Sequence, residues 1–233
     1  HRINRRQRQM CIRDRACSDL FLKLGVKKNN LTMIDSKGVI SIDRKGLNKW
    51  KLKYAKKTKD KTLSDALKNA DVFLGLSSAG ILKKEMIKSM AKNPIIFACA
   101  NPDPEILPEE AYKIRKDAII ATGRSDYANQ VNNLIGFPYI FRGALDVRAK
   151  TINEEMKISA ANAIAKLARE RVPDEVAAAM GGDRPKYGKD YIIPSTFDPR
   201  LISVIPVAVA KAAIKSGVAR KKIENFNFYS EQL

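Results

Sequence analysis

Two short apolar runs stop abruptly at polar turns. Residues 94–100 (PIIFACA) give way to Asn101-Pro102-Asp103-Pro104-Glu105, and residues 117–122 (DAIIAT) give way to Gly123-Arg124-Ser125-Asp126 and the amides Asn129, Gln130, Asn132 and Asn133. Runs of this length bounded by turns read as buried parallel strands, whose carboxyl ends deliver side chains to the crevice in which open α/β sheets bind ligands. Asn101 stands at one such end, and Asn132 and Asn133 lie on the next segment along the rim. An amide offers a donor and an acceptor together, which suits a carboxamide or carboxylate ligand. Each Asn alone is equally explained as a turn residue or a helix cap; the group together points to a site.

A second set lies upstream. Residues 31–35 (LTMID) read as a short strand ending in Asp35, followed by Ser36, Lys37 and Gly38. An acid at the end of the second strand of a βαβ unit is where a dinucleotide-binding fold places its ribose hydrogen bond. Here a hydroxyl, a lysine and a glycine turn follow that acid, and they would soften its repulsion of a 2′-phosphate. A simple turn explains the same residues. After the strand 71–76 (DVFLGL) come Ser77-Ser78-Ala79-Gly80, small residues that let a ligand approach the backbone, and then a helix around 82–91. No Gly-rich phosphate loop precedes the helix that begins at Ala16; an arginine-rich arm stands in its place.

The elements that must position these residues alternate. A helix from Ala16 closes at Gly25, residues 47–54 are Lys-rich and amphipathic, and Thr62 with Asp65 three residues on opens another helix. Strand, turn and helix then repeat through 122, the pattern of a parallel sheet with crossover helices. Further on, Phe137–Gly143 is expected to pack aromatics beside the amide cluster. Residues 151–170 read as a long helix capped by Thr151, 172–194 as loop, and 205–219 as a final helix ended by Gly217. The polar, aromatic tail 221–233 is expected to dock on a neighbour. Glu105 with Asp103 reads as turn and helix-dipole chemistry, Glu154 and Glu155 as a helix start, and Arg142 and Arg148 as surface ion pairs.

The 233 residues, 45% apolar, are enough for one α/β domain with a real core. Lys and Arg number 44 against 25 Asp and Glu, a net charge of +19 that opens nucleic-acid or membrane-surface binding as readings. The basic residues are spread over amphipathic segments, and only 7% of the chain is aromatic, so an anion-attracting surface is the better reading. Residues 1–15 carry six Arg and one Asp with no period that buries a face; they read as a disordered or foreign arm without an aromatic to stack a base. His1, the only histidine, lies in that arm. No apolar run approaches a membrane span. Cys11, Cys17 and Cys99 show no metal or redox spacing, and the reduced-thiol reading favours a cytoplasmic location.

From Ala16 onward the chain resembles the NAD(P)-binding domain of malic enzymes, most closely the bacterial NADP-dependent type. The resemblance rests on IDSKGVI, DVFLGLS, PIIFACANPDPEILPEEA, DAIIATGRSDYANQVNN, GFPYIFRGALDVRAKTINEEM, YIIPSTFDPRL and AVAKAAIKSGVA, in that order. It implies an α/β fold, a Rossmann-like doubly wound, mostly parallel sheet with flanking helices over 16–233, without the first strand and Gly-rich loop. It implies oxidative decarboxylation of L-malate to pyruvate and CO2 with NADP or NAD and Mg2+ or Mn2+, in an enzyme that is a homo-oligomer when complete. The resemblance places Asp35 by the adenosine ribose, Asn101 on cofactor and substrate, and Asn133, with Asn132 beside it, on the substrate carboxylate. Ser36, Lys37 and Ser77 join the expected cofactor set. The family's tyrosine acid, lysine base and carboxylate metal ligands have no counterpart here, so no catalytic or metal residue is assigned, and the chain alone is expected to be inactive. The competing reading is a non-catalytic nucleotide-binding or RNA-binding basic module. NADP is expected over NAD, with Lys37 as the reader of the 2′-phosphate and the Lys-rich run from Lys49 to Lys61 supplying nearby positive charge if it folds back over the groove; no membrane or nucleic-acid partner is expected.

Overall fold

A computed structural model describes the backbone of residues 2–182 and 184–233 and the side chains of residues 12–182 and 184–233. His1 lies outside the described residues. The chain divides into two compact units, His1–Ile120 and Ala121–Leu233, where length and composition had suggested one domain. The reason is that each unit closes a core of its own, one around Ile87, Ile96 and Ala111, the other around Met156, Ile205 and Val209.

The first unit opens with helix α1 (Arg2–Lys23), which runs through the segment read as an irregular arm. Arg, Gln and Met are good helix formers, and a helix needs no buried face along its whole length to continue from an anchored turn. The anchor is local: Tyr54 is buried and its hydroxyl donates to Asp19 at 2.6 Å, while the Arg15 guanidinium lies 4.0 Å from the Trp50 ring. The helix ends where expected. Gly25 has φ 103°, its N–H donates to Leu22, and the Val26 N–H donates to Phe21 at 3.0 Å, the paired closure a left-handed glycine allows.

The LTMID strand differs from expectation. Only β1 (Ile34–Asp35) is extended, and it pairs antiparallel with β2 (Gly38–Val39) as a hairpin instead of joining the parallel sheet. Gly38 causes this: at φ 100° it reverses the chain, and a Cβ there would lie 2.2 Å from the Lys61 carbonyl oxygen. Next come the short α2 (Lys49–Leu52), capped by Asn48, and α3 (Leu63–Leu67), opened by the predicted Thr62–Asp65 capping box.

Strands β3 (Val72–Gly75), β4 (Ile95–Ala98) and β5 (Ile119–Thr122) follow, separated by α4 (Lys84–Lys88) and α5 (Pro108–Ile114). They form one sheet in the order β3-β4-β5, and β3 and β4 run parallel with Val72 opposite Ile95 and Gly75 opposite Ala98. The strand and helix alternation predicted over 71–122 is therefore the observed one.

The second unit is helical: α6 (Phe137–Asp146), α7 (Glu154–Leu167), α8 (Asp174–Ala179), α9 (Leu201–Lys215) and α10 (Phe226–Glu231). The expected Thr151 cap is Asn153 instead, which accepts the Met156 N–H at 3.1 Å. Helix α8 lies within the stretch read as loop, and α9 begins before the predicted start, carrying Pro206 inside it. The terminal tail docks on its own chain, through Phe226 and Tyr229 against the α9 core and a 2.6 Å bond from the Tyr229 hydroxyl to Asp146. Phe137 and Phe141 do not pack inward; they are 64% and 44% exposed and lean on each other at 4.8 Å. Among the described residues no helix is long and apolar enough to cross a membrane.

Helices α6 and α9 meet at Gly143, where a Cβ would stand 2.5 Å from the Pro206 carbonyl oxygen and 2.9 Å from Val209. Gly143→Ala is expected to lower stability in urea unfolding by about 1–3 kcal/mol, because the two backbones must move apart. Gly123→Ala, where a Cβ meets nothing within 4 Å, is the control, with an expected change within about 0.5 kcal/mol. Equal effects at the two sites would contradict the close helix contact.

Candidate functional site

At the carboxyl rim of β3 and β4, Ser77 and Asn101 are both exposed, and each follows its strand by a few residues. What holds them is Glu105, a residue read from sequence as turn and helix-dipole chemistry. Its side chain is 0% exposed. One carboxyl oxygen accepts the Ser77 N–H and the other accepts the Ala100 N–H, both at 2.9 Å. Main-chain bonds reinforce the link: the Gly80 N–H donates to Pro104 and the Leu82 N–H to Glu105, each at 3.2 Å. Gly75 makes room for the carboxyl, since a Cβ there would sit 2.4 Å from it. Burial, then the neighbouring negative charge of Glu105, pushes the adjacent Cys99 thiol up to about 12, so it is no nucleophile. The Asn101–Pro102 peptide is cis.

The second cluster surrounds the hairpin turn. The Asp35 carboxylate accepts from Arg44 Nη2 at 2.7 Å, from the Lys51 ammonium, and from the Lys37 backbone N–H at 2.9 Å. Burial pulls its acidity in one direction, and the bonds from Lys51, Lys37 and Arg44 outweigh it, holding Asp35 below the ordinary carboxylate range. A small cleft of about 50 Å³ opens here, lined in part by Asp14, Arg15, Met33, Ile40 and Trp50. Trp50 is 48% exposed, with Arg15 at 4.0 Å and Lys49 at 4.9 Å from its ring. The Ser36 and Lys37 side chains are exposed beside the cleft, and Lys37 meets Asp35 through its backbone. The cations on the carboxylate are Lys51, from the Lys-rich run 49–61 expected to supply positive charge here, and Arg44, which the sequence does not single out. They stand nine and sixteen residues beyond Asp35, Arg44 the nearer, and the reversal at Gly38 and the Asn48 cap bring them back.

Helix α1 touches both clusters. Arg13 Nη2 lies 3.5 Å from the Leu76 carbonyl at the end of β3, and Asp14 and Arg15 line the cleft.

In the second unit the amides part company. Asn129 is buried at φ 55° and closes a loop on itself, donating to the Lys189 carbonyl and accepting the Ile192 N–H, both at 2.8 Å. Asn132 caps the 3₁₀ turn Asn133–Ile135 by accepting the Leu134 N–H at 2.9 Å. Asn133 is exposed at the start of that turn. Arg142 pairs with Asp146 at 2.7 Å, the surface ion pair expected of it. Among the described residues no three His, Cys, Asp or Glu side chains gather as a metal site.

Comparison with known proteins adds a family. The family model described as "Malic enzyme, NAD binding domain" matches residues 22–178. The chain is 60% identical over 219 residues to an NADP-dependent malic enzyme of Rhizobium meliloti, and 52% identical over 219 residues to an NAD-dependent malic enzyme of the same organism. Each match takes in 94% of this chain and 29% or 28% of the relative, so the chain spans less than a third of the length of these relatives. Among solved structures, the malic enzyme of Entamoeba histolytica superposes with a TM-score of 0.80 at 35% identity, over 94% of this chain and 44% of that one.

Asp14 lines the cleft. Burial pushes its carboxyl from 3.8 up to about 6, with Arg13 opposing. A raised folded value means that the folded chain holds the proton more tightly. The contribution to stability is thus complete below about pH 4 and is lost as pH rises through about 6. Asp14→Asn stays neutral, so it is expected to raise the thermal midpoint relative to the parent at about pH 7.5 and to leave it unchanged at about pH 4. The same shift at both values would show that the carboxyl is not desolvated.

Proposed function

The chain belongs to the malic enzyme NAD-binding domain family, and on that premise we propose that it supplies the nicotinamide-cofactor site of an enzyme that oxidatively decarboxylates L-malate to pyruvate and CO2. The observation that carries the reading is the Asp35 cluster, whose Asp35, Arg44, Trp50 and Lys51 lie within the matched residues and pair a carboxylate with two cations beside an exposed indole. This donor set fits the adenosine end of a nicotinamide dinucleotide: Asp35 for a ribose hydroxyl, Trp50 as an apolar wall, Arg44 and Lys51 for phosphate. When bound, the cofactor accepts the hydride from the substrate carbon; this chain's residues hold and orient it.

The same cleft favours NADP. An acid alone at this position repels a 2′-phosphate, but two cations against one carboxylate leave an excess of positive charge. Either cation can turn from Asp35 to a phosphate while the other keeps the carboxylate paired. Lys37 becomes the lesser reader, since it meets Asp35 through its backbone.

Asn101 at the β4 rim is assigned to the nicotinamide and the substrate, with Ser77 beside it on the cofactor, and Asn133 to the malate carboxylate with Asn132 shaping its turn. Among the described residues no three His, Cys, Asp or Glu side chains form a ligand set for Mg2+ or Mn2+. Free Cys17 and Cys99 support a reducing, cytoplasmic setting, and the complete enzyme is assigned a homo-oligomeric state from its family resemblance.

Calorimetric titration of the 233-residue chain with NADP and NAD tests the reading. NADP is expected to bind more tightly. Lys51→Ala and Arg44→Ala are each expected to weaken NADP by about 1.5–3 kcal/mol, the worth of a charge-assisted hydrogen bond, and NAD much less. Equal losses for both cofactors would remove Arg44 and Lys51 as readers of the 2′-phosphate, and no binding of either would overturn the cofactor site.

Asn101→Ala is expected to weaken NADP and NAD alike by about 1–3 kcal/mol, because a carboxamide partner is left unpaired. Binding of 2′,5′-ADP, which lacks the nicotinamide half, is expected to be unchanged. A loss of 2′,5′-ADP affinity as large as that of NADP would move Asn101 away from the nicotinamide.

A further inference from the structure

Strands β3 and β4 separate at their carboxyl ends, and their register locates the parting. Gly75 stands opposite Ala98, so Ser77 and Ala100 occupy equivalent positions two residues beyond the last pair. The ladder continues for one more bond, from the Cys99 N–H to the Gly75 carbonyl at 3.1 Å. Beyond it the N–H groups of Ser77 and Ala100 have no strand to pair with, and both turn to the one Glu105 carboxyl. Each of these N–H groups belongs to a residue at a ligand-facing turn: Ser77 itself, and Ala100 immediately before Asn101.

We propose that Glu105 is a positioning residue for the nicotinamide half of the cofactor, setting the Ser77 and Asn101 turns at a fixed separation by occupying the gap between the two parted strands. This rests on the cofactor reading above. The geometry demands a carboxyl: both oxygens act as acceptors, the group is wholly buried, and Gly75 leaves the space it fills. An amide of the same shape fails, because its NH2 would face one of the two N–H donors. The adenosine cluster around Asp35 has no hydrogen bond to Glu105, so the two halves of the cofactor respond separately to its loss.

The test compares NADP with 2′,5′-ADP, titrated calorimetrically into the full chain and into Glu105→Gln. Glu105→Gln is expected to weaken NADP about tenfold or more, as the loss of a buried acceptor implies, while 2′,5′-ADP stays within about twofold. Glu105→Asp keeps the charge but is one methylene shorter, and the same selective loss is expected of it, so a folding failure in one variant leaves the other to decide. In the parent chain, the Ser77 and Ala100 amide protons are expected to exchange slowly with solvent although Ser77 is exposed. Equal losses for NADP and 2′,5′-ADP, no loss for either, or both amides exchanging at open-loop rates would overturn the role. If the parent binds 2′,5′-ADP but the variants leave NADP untouched, only this role fails; if the parent binds neither ligand, the cofactor reading fails and this role with it.

Discussion

Two backbone N–H groups that a parting pair of strands cannot bond, those of Ser77 and Ala100, govern how this rim is built. A buried N–H without a partner costs about 1–3 kcal/mol, and a buried carboxyl without donors costs more. Glu105 and the two amides cancel each other's penalties. The arrangement then constrains everything near it. Gly75 must lack a side chain, Gly80 and Leu82 are tied back to Pro104 and Glu105, and the approach to α4 is fixed by those ties. Turns that carry candidate ligand contacts are thereby held by a buried group, which is how a loop keeps a binding geometry while remaining at the surface.

Charge is arranged on a second principle. The chain carries +19 overall, yet several of its acids meet cations at close range: Asp35 with Arg44 and Lys51, Asp19 with Lys53, Asp198 with Arg200, Asp117 with Arg115. The last pair is structural, for Arg115 also donates to the Met90 and Ala91 carbonyls and fastens the turn after α4. With these acids engaged, the surplus positive charge lies at the surface, where it attracts anions. Asp14 departs from the pattern, since burial dominates over its one opposing cation and its proton is held more tightly.

What could be read in the sequence was whatever depends on near neighbours. The three parallel strands, the Thr62–Asp65 capping box and the glycine closures at Gly25 and Gly217 each follow from a few adjacent residues, and each stands where expected. Misreadings arose where a distant residue decides. The LTMID run has the composition of a sheet strand, but Gly38 is pinned against the Lys61 carbonyl and folds it into a hairpin. Glu105 looked like an ordinary acid after two prolines, because nothing within ten residues announces the Ser77 N–H that it accepts. Lys51 lies in the Lys-rich run expected over the groove, whereas Arg44 reaches Asp35 only because the chain reverses at Gly38 between them. The aromatics of α6 are expected beside the amide cluster, but Phe137 and Phe141 are exposed and lean on each other, and the α6 backbone meets α9 through Gly143.

The amide cluster shows how residue type and residue role separate. Four amides within five positions suggest one polar site, but the chain spends two of them on its own backbone. Asn129 adopts a left-handed conformation that asparagine tolerates better than most residues, and its carboxamide replaces two missing main-chain partners at Lys189 and Ile192. Asn132 serves the Leu134 N–H. Both are held at fixed positions by these bonds, and the segment between them inherits that rigidity. Asn133 follows directly, exposed, and among the described residues none hydrogen-bonds its side chain. A ligand-binding amide needs this combination: a backbone that its neighbours have already immobilised, so that little conformational entropy is lost on binding, and a side chain that folding has not consumed.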